Sequence, residues 1–168
     1  MLHALPDGTR LVLRPIEAAD KAPLAVAHGR LSEETIRRRY LAAKPRVTSS
    51  ELTYLTEVDG HNHIALAAFP ADDPDTLAGI ARCVRLADTP ETAEFAVVVA
   101  DAFQGRGLGT LLARELATAA RAAGIRRFAA TMLSDNDAVR RVMAPITAHL
   151  ELERMDGGLR EVVIDLAA

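Results

Sequence analysis

The stretch Val97-Val98-Val99-Ala100-Asp101-Ala102-Phe103-Gln104-Gly105-Arg106-Gly107-Leu108-Gly109-Thr110 constrains this chain most. A β-branched apolar run stops at a polar turn, and a glycine-rich segment then opens a long amphipathic helix. That order points several backbone N–H groups, with the positive end of a helix dipole, at one spot. An anion with several phosphate oxygens fits there, and a nucleotide-like cofactor is the economical reading. The bland alternative is a tight strand-to-helix turn. Two familiar phosphate patterns fail on spacing. A dinucleotide fingerprint counted from Gly105 meets Gly107 and then Thr110, and no lysine stands near the turn to complete a Walker motif.

With 168 residues, the chain is expected to form one domain over residues 1–168 and to bury a substantial core. Aromatic residues make up only 4%, so alanine, leucine and valine must do most of the packing. A net charge of −3 supplies no basic field for nucleic acid or an anionic membrane. No apolar run approaches the ~20 residues of a membrane span, and no signal core opens the chain. Cys83 is alone, so neither a disulfide framework nor a cysteine metal site is available, and a small core residue is its expected role. A cytoplasmic location follows as the expectation.

Residues 9–14 alternate as a strand, and Pro15 ends it. Asp20 is placed to cap a helix running to Leu31, and a second short helix begins at Ser32, carrying Ile36, Tyr40 and Leu41. Thr48 and Glu51 form a capping box that opens a third helix, and Asp59-Gly60 closes it. Strands are predicted over 63–69, 77–86 and 92–99, with short linkers that favour an antiparallel meander. Residues 107–123 form an amphipathic helix stopped by Gly124. The strand over 127–133 follows a helical crossover, so it should run parallel to 92–99. A helix over 136–143 stops before Pro145, and strands over 150–155 and 159–166 form a hairpin about Asp156-Gly157-Gly158.

The spacing Gln104-x-x-Gly107-x-Gly109 resembles the signature of the GCN5-related N-acetyltransferases (GNAT), and the predicted element order agrees with that superfamily's fold. The resemblance runs from about Thr9 to the C-terminus. It implies an α/β GNAT fold: a mixed, mostly antiparallel sheet of about six to seven strands flanked by four to five helices. It also implies acetyl-CoA as co-substrate, its pyrophosphate cradled by backbone N–H groups of Gln104, Gly105, Arg106, Gly107, Leu108, Gly109 and Thr110. The preceding strand would splay from its parallel neighbour and pair its backbone, at Val97, Val98 and Val99, with the pantetheine arm. Asn136 matches an asparagine that contacts the cofactor. Small size at Gly107 and Gly109 lets a backbone approach closely.

Acetyl transfer to an amine needs a base, because a lysine amine with a pKa of about 10.4 is almost wholly protonated near pH 7. Glu94 lies in the strand that runs into the loop, whereas Glu91 sits at a turn and is less able to reach. On spacing alone Glu94 is equally a solvated strand-face carboxylate. A closer resemblance bears on this choice. Residues 31–40, 51–59 and 65–68 are similar to the acetyltransferase domain of bacterial protein-lysine acetyltransferases that act on acyl-CoA synthetases. In that group the glutamate of an Ala-Glu-aliphatic-Ala segment, here Ala93-Glu94-Phe95-Ala96, is the general base. That group often adds a cyclic-nucleotide-binding or synthetase-like domain, for which 168 residues leave no room, so such regulation is expected to be absent or supplied by a partner. Met143 stands where many relatives carry a proton-donating tyrosine, and Thr147-Ala148 replaces a usual Gly-Phe pair. No general acid is therefore assigned, with Ser134 a weak candidate.

The expected activity is direct acetyl transfer to a primary amine, most simply a protein lysine such as one on an acyl-CoA synthetase. A small-molecule amine acetyltransferase and a catalytically silent acetyl-CoA sensor are the rivals. His61 and His63 stand at a turn without a cysteine and read as ordinary histidines rather than as metal ligands, so no metal is expected. Arg37, Arg38 and Arg39 step by about 100° round a helix and read as a solvated face with one arginine paired, a grip on an acidic acceptor being the alternative. The Arg106 side chain is equally placed to meet a CoA phosphate or solvent. Tyr40 and Tyr54 are either packing residues or lining of an acceptor pocket.

Overall fold

The computed structural model describes residues 1–44 and 46–167. Eight strands form one mixed sheet in the order β1-β2-β3-β4-β5-β6-β8-β7. They are β1 (Leu2–Ala4), β2 (Arg10–Pro15), β3 (His63–Pro70), β4 (Gly79–Arg85), β5 (Thr92–Val99), β6 (Arg127–Leu133), β7 (Thr147–Asp156) and β8 (Leu159–Leu166). The helices are α1 (Lys21–Gly29), α2 (Glu33–Tyr40), α3 (Ser49–Thr56), α4 (Leu108–Ala122) and α5 (Asp137–Met143). The strand count exceeds the expected six to seven by β1, three residues that pair antiparallel with Val12, Leu11 and Arg10. So short a strand carries too little alternation to be read from sequence.

The meander from β2 to β5 is antiparallel, and β5 to β6 is the one parallel pair in this sheet. A crossover through α4 produces that pair, as expected for a strand–helix–strand unit. Strands β3 and β4 are buried on both faces, which explains their near-continuous apolar runs. On one face α4 buries Leu108, Leu112 and Leu116 with Ala113, Ala117 and Ala120, and the alanines let the helix sit close to Ala81, Cys83 and Ala93. Phe95 of β5 and Phe128 of β6 stack there with ring centres 5.2 Å apart. On the other face α1 and α3 cover Ile16, Ala65, Phe69 and Ile80 with Leu24, Leu52 and Leu55.

Two local expectations resolve differently. Thr48 accepts from the Glu51 amide at 3.3 Å while Glu51 accepts from the Thr48 amide at 2.8 Å, so the capping box forms. Asp20, expected as a helix cap, turns its carboxylate instead to Arg14 at 2.7 and 2.8 Å and accepts from the Glu17 amide at 2.8 Å. A buried carboxylate is better served by a bidentate guanidinium than by a cap shared with water. Among the described residues, no helix is long and apolar enough to cross a membrane.

Candidate active site

Parallel pairing between β5 and β6 covers three residue pairs, Thr92 with Arg127, Ala93 with Phe128 and Glu94 with Ala129, and then stops. Beyond Glu94 the strands diverge, since β5 continues to pair with β4 as far as Val99 and β6 with β8 as far as Leu133. The backbone of β5 past Glu94 therefore has one unpaired side. Its direction follows from the ladder. Leu86 donates to the Thr92 carbonyl and Ala100 to the Ala78 carbonyl, so residues of even number on β5 hydrogen-bond to β4. Those of odd number turn theirs toward β6: the Phe95 N–H still serves the Glu94–Ala129 pair, and the Phe95 carbonyl with the peptide groups of Val97 and Val99 faces the opening between the strands.

A cleft of about 440 Å³ follows that opening to the glycine loop, lined by Val97, Val98, Val99, Gln104, Gly105, Gly107, Gly109, Thr110 and Asn136, with Arg38, Arg39 and Arg141 at its sides. Of the three valines expected to contact a ligand through the backbone, Val97 and Val99 face the cleft with their peptide groups. Val98 faces β4 with its own.

At the loop, α4 begins after Gly107, whose φ of +91° suits glycine. The first helical bond runs from the Leu111 amide to the Gly107 carbonyl at 3.1 Å, so the amides of Leu108, Gly109 and Thr110 have no acceptor within the helix. A Cβ on Gly109 would stand 3.1 Å from Val142 Cγ2 and 3.6 Å from Val99 Cγ2, inside the cleft. The side chains of the loop are engaged elsewhere. Gln104 donates to the Val99 carbonyl at 3.0 Å and to Thr35 Oγ1 at 3.1 Å. Arg106 binds Asp7 at 2.5 Å and also reaches Thr9 Oγ1, and Leu108 points into the core. The Thr9 amide and Arg106 hold the Asp7 carboxyl down at about 2. Asn136 is 3% exposed, and its Oδ1 is buried without a hydrogen-bond partner while the residue lines the cleft. An orphaned buried acceptor beside unpaired amides and a glycine cradle suits an extended ligand with amide and phosphate groups.

Glu94 sits where the strands part. Its neighbours Ala93 and Phe95 pack under α4, so its own side chain emerges on the opposite face, the one carrying α1, α2 and α3. It is exposed, and among the described residues it makes no ion pair. A second cavity, about 220 Å³, joins Glu94 and Ala96 of β5 to Arg38, Arg39, Tyr40 and Leu41 of α2 and to Thr131 of β6. Glu91 instead pairs with Arg127. Met143 is 4% exposed and packed in the core, so it lends the site no proton. Ser134 belongs to neither cavity and donates its amide to the Gly158 carbonyl at 2.9 Å.

Helix α2 lies lengthwise along β5 and is fastened to the loop at its N-terminus. Asp101 accepts from the Ser32 amide at 3.0 Å, from Ser32 Oγ at 2.7 Å and from Thr35 Oγ1 at 2.8 Å. Partial burial acts to raise the Asp101 carboxyl, but these hydrogen bonds outweigh it and hold the group below its ordinary range. Thr35, Arg38 and Arg39 share the helix face turned to the cleft, while Arg37 faces solvent. The arginine run is thus divided rather than uniformly solvated. Arg38 pairs with Glu34, and Arg39 lies over the Tyr40 ring at 5.1 Å without a carboxylate partner among the described residues. Tyr40 also packs against His28, with ring centres 5.6 Å apart. His63 of the expected non-metal pair is buried against Tyr54 and Arg82.

Known proteins share this architecture. Residues 10–146 match the model of the acetyltransferase (GNAT) domain family. The acetyltransferase Pat of Mycolicibacterium smegmatis is 34% identical over 136 residues, 81% of this chain and 40% of that protein. Acetyltransferase PA5475 of Pseudomonas aeruginosa is 29% identical over 140 residues, 83% of this chain and 75% of that protein. The crystal structure of the GNAT domain of S. lividans PAT superposes with a TM-score of 0.87 at 30% identity, over 99% of this chain and 96% of that one. The chain spans less than half the length of the Mycolicibacterium relative. It belongs to the GNAT acetyltransferase domain family.

Proposed function

We propose that this GNAT domain transfers an acetyl group from acetyl-CoA directly to a primary amine, the ε-amine of a protein lysine, with Glu94 as general base. The observation that supports the reading is the loss of β5–β6 pairing immediately after Glu94: its carboxylate, without an ion-pair partner among the described residues, lines the smaller cavity, and Val97 lines both that cavity and the cleft. Acetyl-CoA supplies the acetyl group as a thioester. The amides of Gly105 to Thr110 face its phosphates, and Val97 and Val99 offer strand-like hydrogen bonds to its pantetheine arm. Asn136 Oδ1 accepts from one of its amide N–H groups. Glu94, directly or through one water, takes the proton from the arriving ammonium so that a neutral amine attacks the thioester carbonyl; the C–N bond forms as the C–S bond breaks, and CoA leaves as a thiolate that the proton shed by the attacking nitrogen neutralises. The protein-lysine acceptor is supported by the likeness to the GNAT domain of S. lividans PAT and to the Mycolicibacterium Pat. An acyl-CoA synthetase is the acceptor protein to try first.

Purified protein incubated with labelled acetyl-CoA and a bacterial lysate, then fractionated by size, tests the reading, with Glu94→Gln alongside. Label in the protein fraction as acetyl-lysine, lost with Glu94→Gln, is the expected result. Label in small molecules makes this a metabolite amine acetyltransferase. Tight acetyl-CoA binding with no transfer makes it a sensor.

A further inference from the structure

The acceptor side of the site has an electrostatic oddity. Among the described residues the only carboxylate lining the smaller cavity is Glu94, whereas α2 presents Arg38 and Arg39 to it. Glu34 neutralises Arg38, but Arg39 is half-buried, with an aromatic ring and no carboxylate beside it. Behind it on the same face of the sheet is Arg82, 6% exposed, whose guanidinium donates only to neutral groups, the Leu55 carbonyl and His63 Nε2, both at 3.3 Å. Burial, and after it the charge of Arg39, lower the Arg82 pKa to about 10. Two guanidinium groups on this face of the sheet thus have no carboxylate partner among the described residues. Unpaired charge that is partly withdrawn from water is costly, and a bound anion removes the cost.

This arrangement acts on the incoming acceptor, which approaches Glu94 as an ammonium. Arg39 repels a bare cation, and one carboxylate cannot offset that repulsion while also acting as base. An acceptor that brings its own negative group answers both needs, pairing with Arg39 and leaving Glu94 free. Position is fixed as well, since the Asp101 tether holds Ser32 and Thr35, about two turns and one turn before Arg39. We infer that Arg39 is a specificity-determining residue that pairs with an acidic side chain next to the acceptor lysine, so that the enzyme selects lysines flanked by Asp or Glu. The inference rests on the protein-lysine reading above.

N-terminally blocked lysine peptides flanked by Glu, Ala or Arg, assayed by release of free CoA thiol, test it. For the unaltered protein kcat/KM should fall in the order Glu, Ala, Arg, with about tenfold between the extremes, as for a half-buried charge pair. Arg39→Gln should level the series, and Arg39→Glu should reverse it. Because each comparison is a ratio within one protein, a general loss of activity in a variant does not enter. Equal rates on all three peptides, or an order that Arg39→Glu leaves unchanged, overturns the inference alone. Turnover of small amines with none of any lysine peptide overturns the protein-lysine reading, and the inference with it.

Discussion

The two loop glycines should fail in opposite ways when replaced by alanine. Gly109 lies in the first turn of α4 with ordinary helical backbone, so alanine gains helix propensity, at most about 1 kcal/mol. Against that gain, the new methyl meets Val142 Cγ2 at 3.1 Å, and Val142 must retreat by a few tenths of an ångström at the cleft's edge. The two effects nearly cancel, and the melting temperature should move by no more than about 4 °C. Binding is another matter, because under the proposed function the methyl would stand in the space through which phosphate oxygens reach the helix amides. Losing one hydrogen bond to a charged group costs about 1.5–3 kcal/mol, a ten- to hundredfold weaker Kd for acetyl-CoA. Gly107 reverses the pattern. Its Cβ would meet Pro6 Cδ at an ordinary 3.5 Å, but its φ of +91° imposes about 1–2 kcal/mol on any L-residue. Gly107→Ala should therefore lose several degrees of melting temperature. Differential scanning calorimetry paired with titration calorimetry against acetyl-CoA reads both quantities. Acetyl-CoA binding by Gly109→Ala within twofold of the unaltered protein would refute the claim that this cleft needs close backbone approach.

Three other outcomes are expected. Asp101→Ala removes three hydrogen bonds from α2, worth about 1 kcal/mol together after discounting for solvent, and amides of α2 should exchange with deuterium faster while those of β4 do not. Since the Asp101 carboxyl lies below its ordinary range, the tether is complete above the unfolded-state value and is lost only as pH falls through the lowered one. Unchanged exchange in α2 would show that the helix is held by other contacts. Burial and then Arg82 lower the His63 pKa to about 4, so the unfolded chain binds a proton there first as pH falls. Stability should drop between about pH 6.5 and 4, by up to ~3 kcal/mol, and His63→Gln should flatten that part of the curve in chemical denaturation. Cys83 is fully buried and its thiol is pushed up to about 12, so a thiol reagent at pH 8 should label it only after denaturant is added. Prompt labelling of the folded protein would contradict that burial.

The sequence was most readable where one segment obeyed one rule. The apolar run, polar turn and glycines of residues 97–110 describe a strand, a loop and a helix start, and the structure contains all three. The parallel pair followed from a helix lying between two strands. Less readable were features made by distant residues. Asp20 looked like a helix cap because nothing local revealed that Arg14 would claim its carboxylate. The arginine run could not be sorted until α2 was seen along β5, since its exposed and cleft-lining members differ only in what lies opposite. Arg82 sits in an ordinary apolar strand pattern, and its lack of an anionic partner is a fact of three dimensions. The Asp101–Ser32–Thr35 tether joins residues more than sixty positions apart and leaves no local mark.

Strand β5 also shows how one short element can line two cavities with different groups. Along an extended chain, side-chain direction and peptide direction both alternate with a period of two. At Glu94, Ala96 and Val98 the peptide groups bond to β4 and the side chains emerge beneath α1, α2 and α3. At Phe95, Val97 and Val99 the side chains enter the core under α4, and the peptide groups of the two valines are left facing the cleft. The odd positions thus offer a ligand main chain alone, which tolerates any apolar side chain. The even positions offer side chains alone, a carboxylate followed by the small Ala96, which leaves room beside Glu94 for an amine. A one-residue slip of β5 against β4 would exchange these roles and bury the carboxylate under α4. The apolar residues that fix the register of this strand, above all Phe95 stacked on Phe128, therefore determine where the Glu94 carboxylate stands as much as Glu94 itself does.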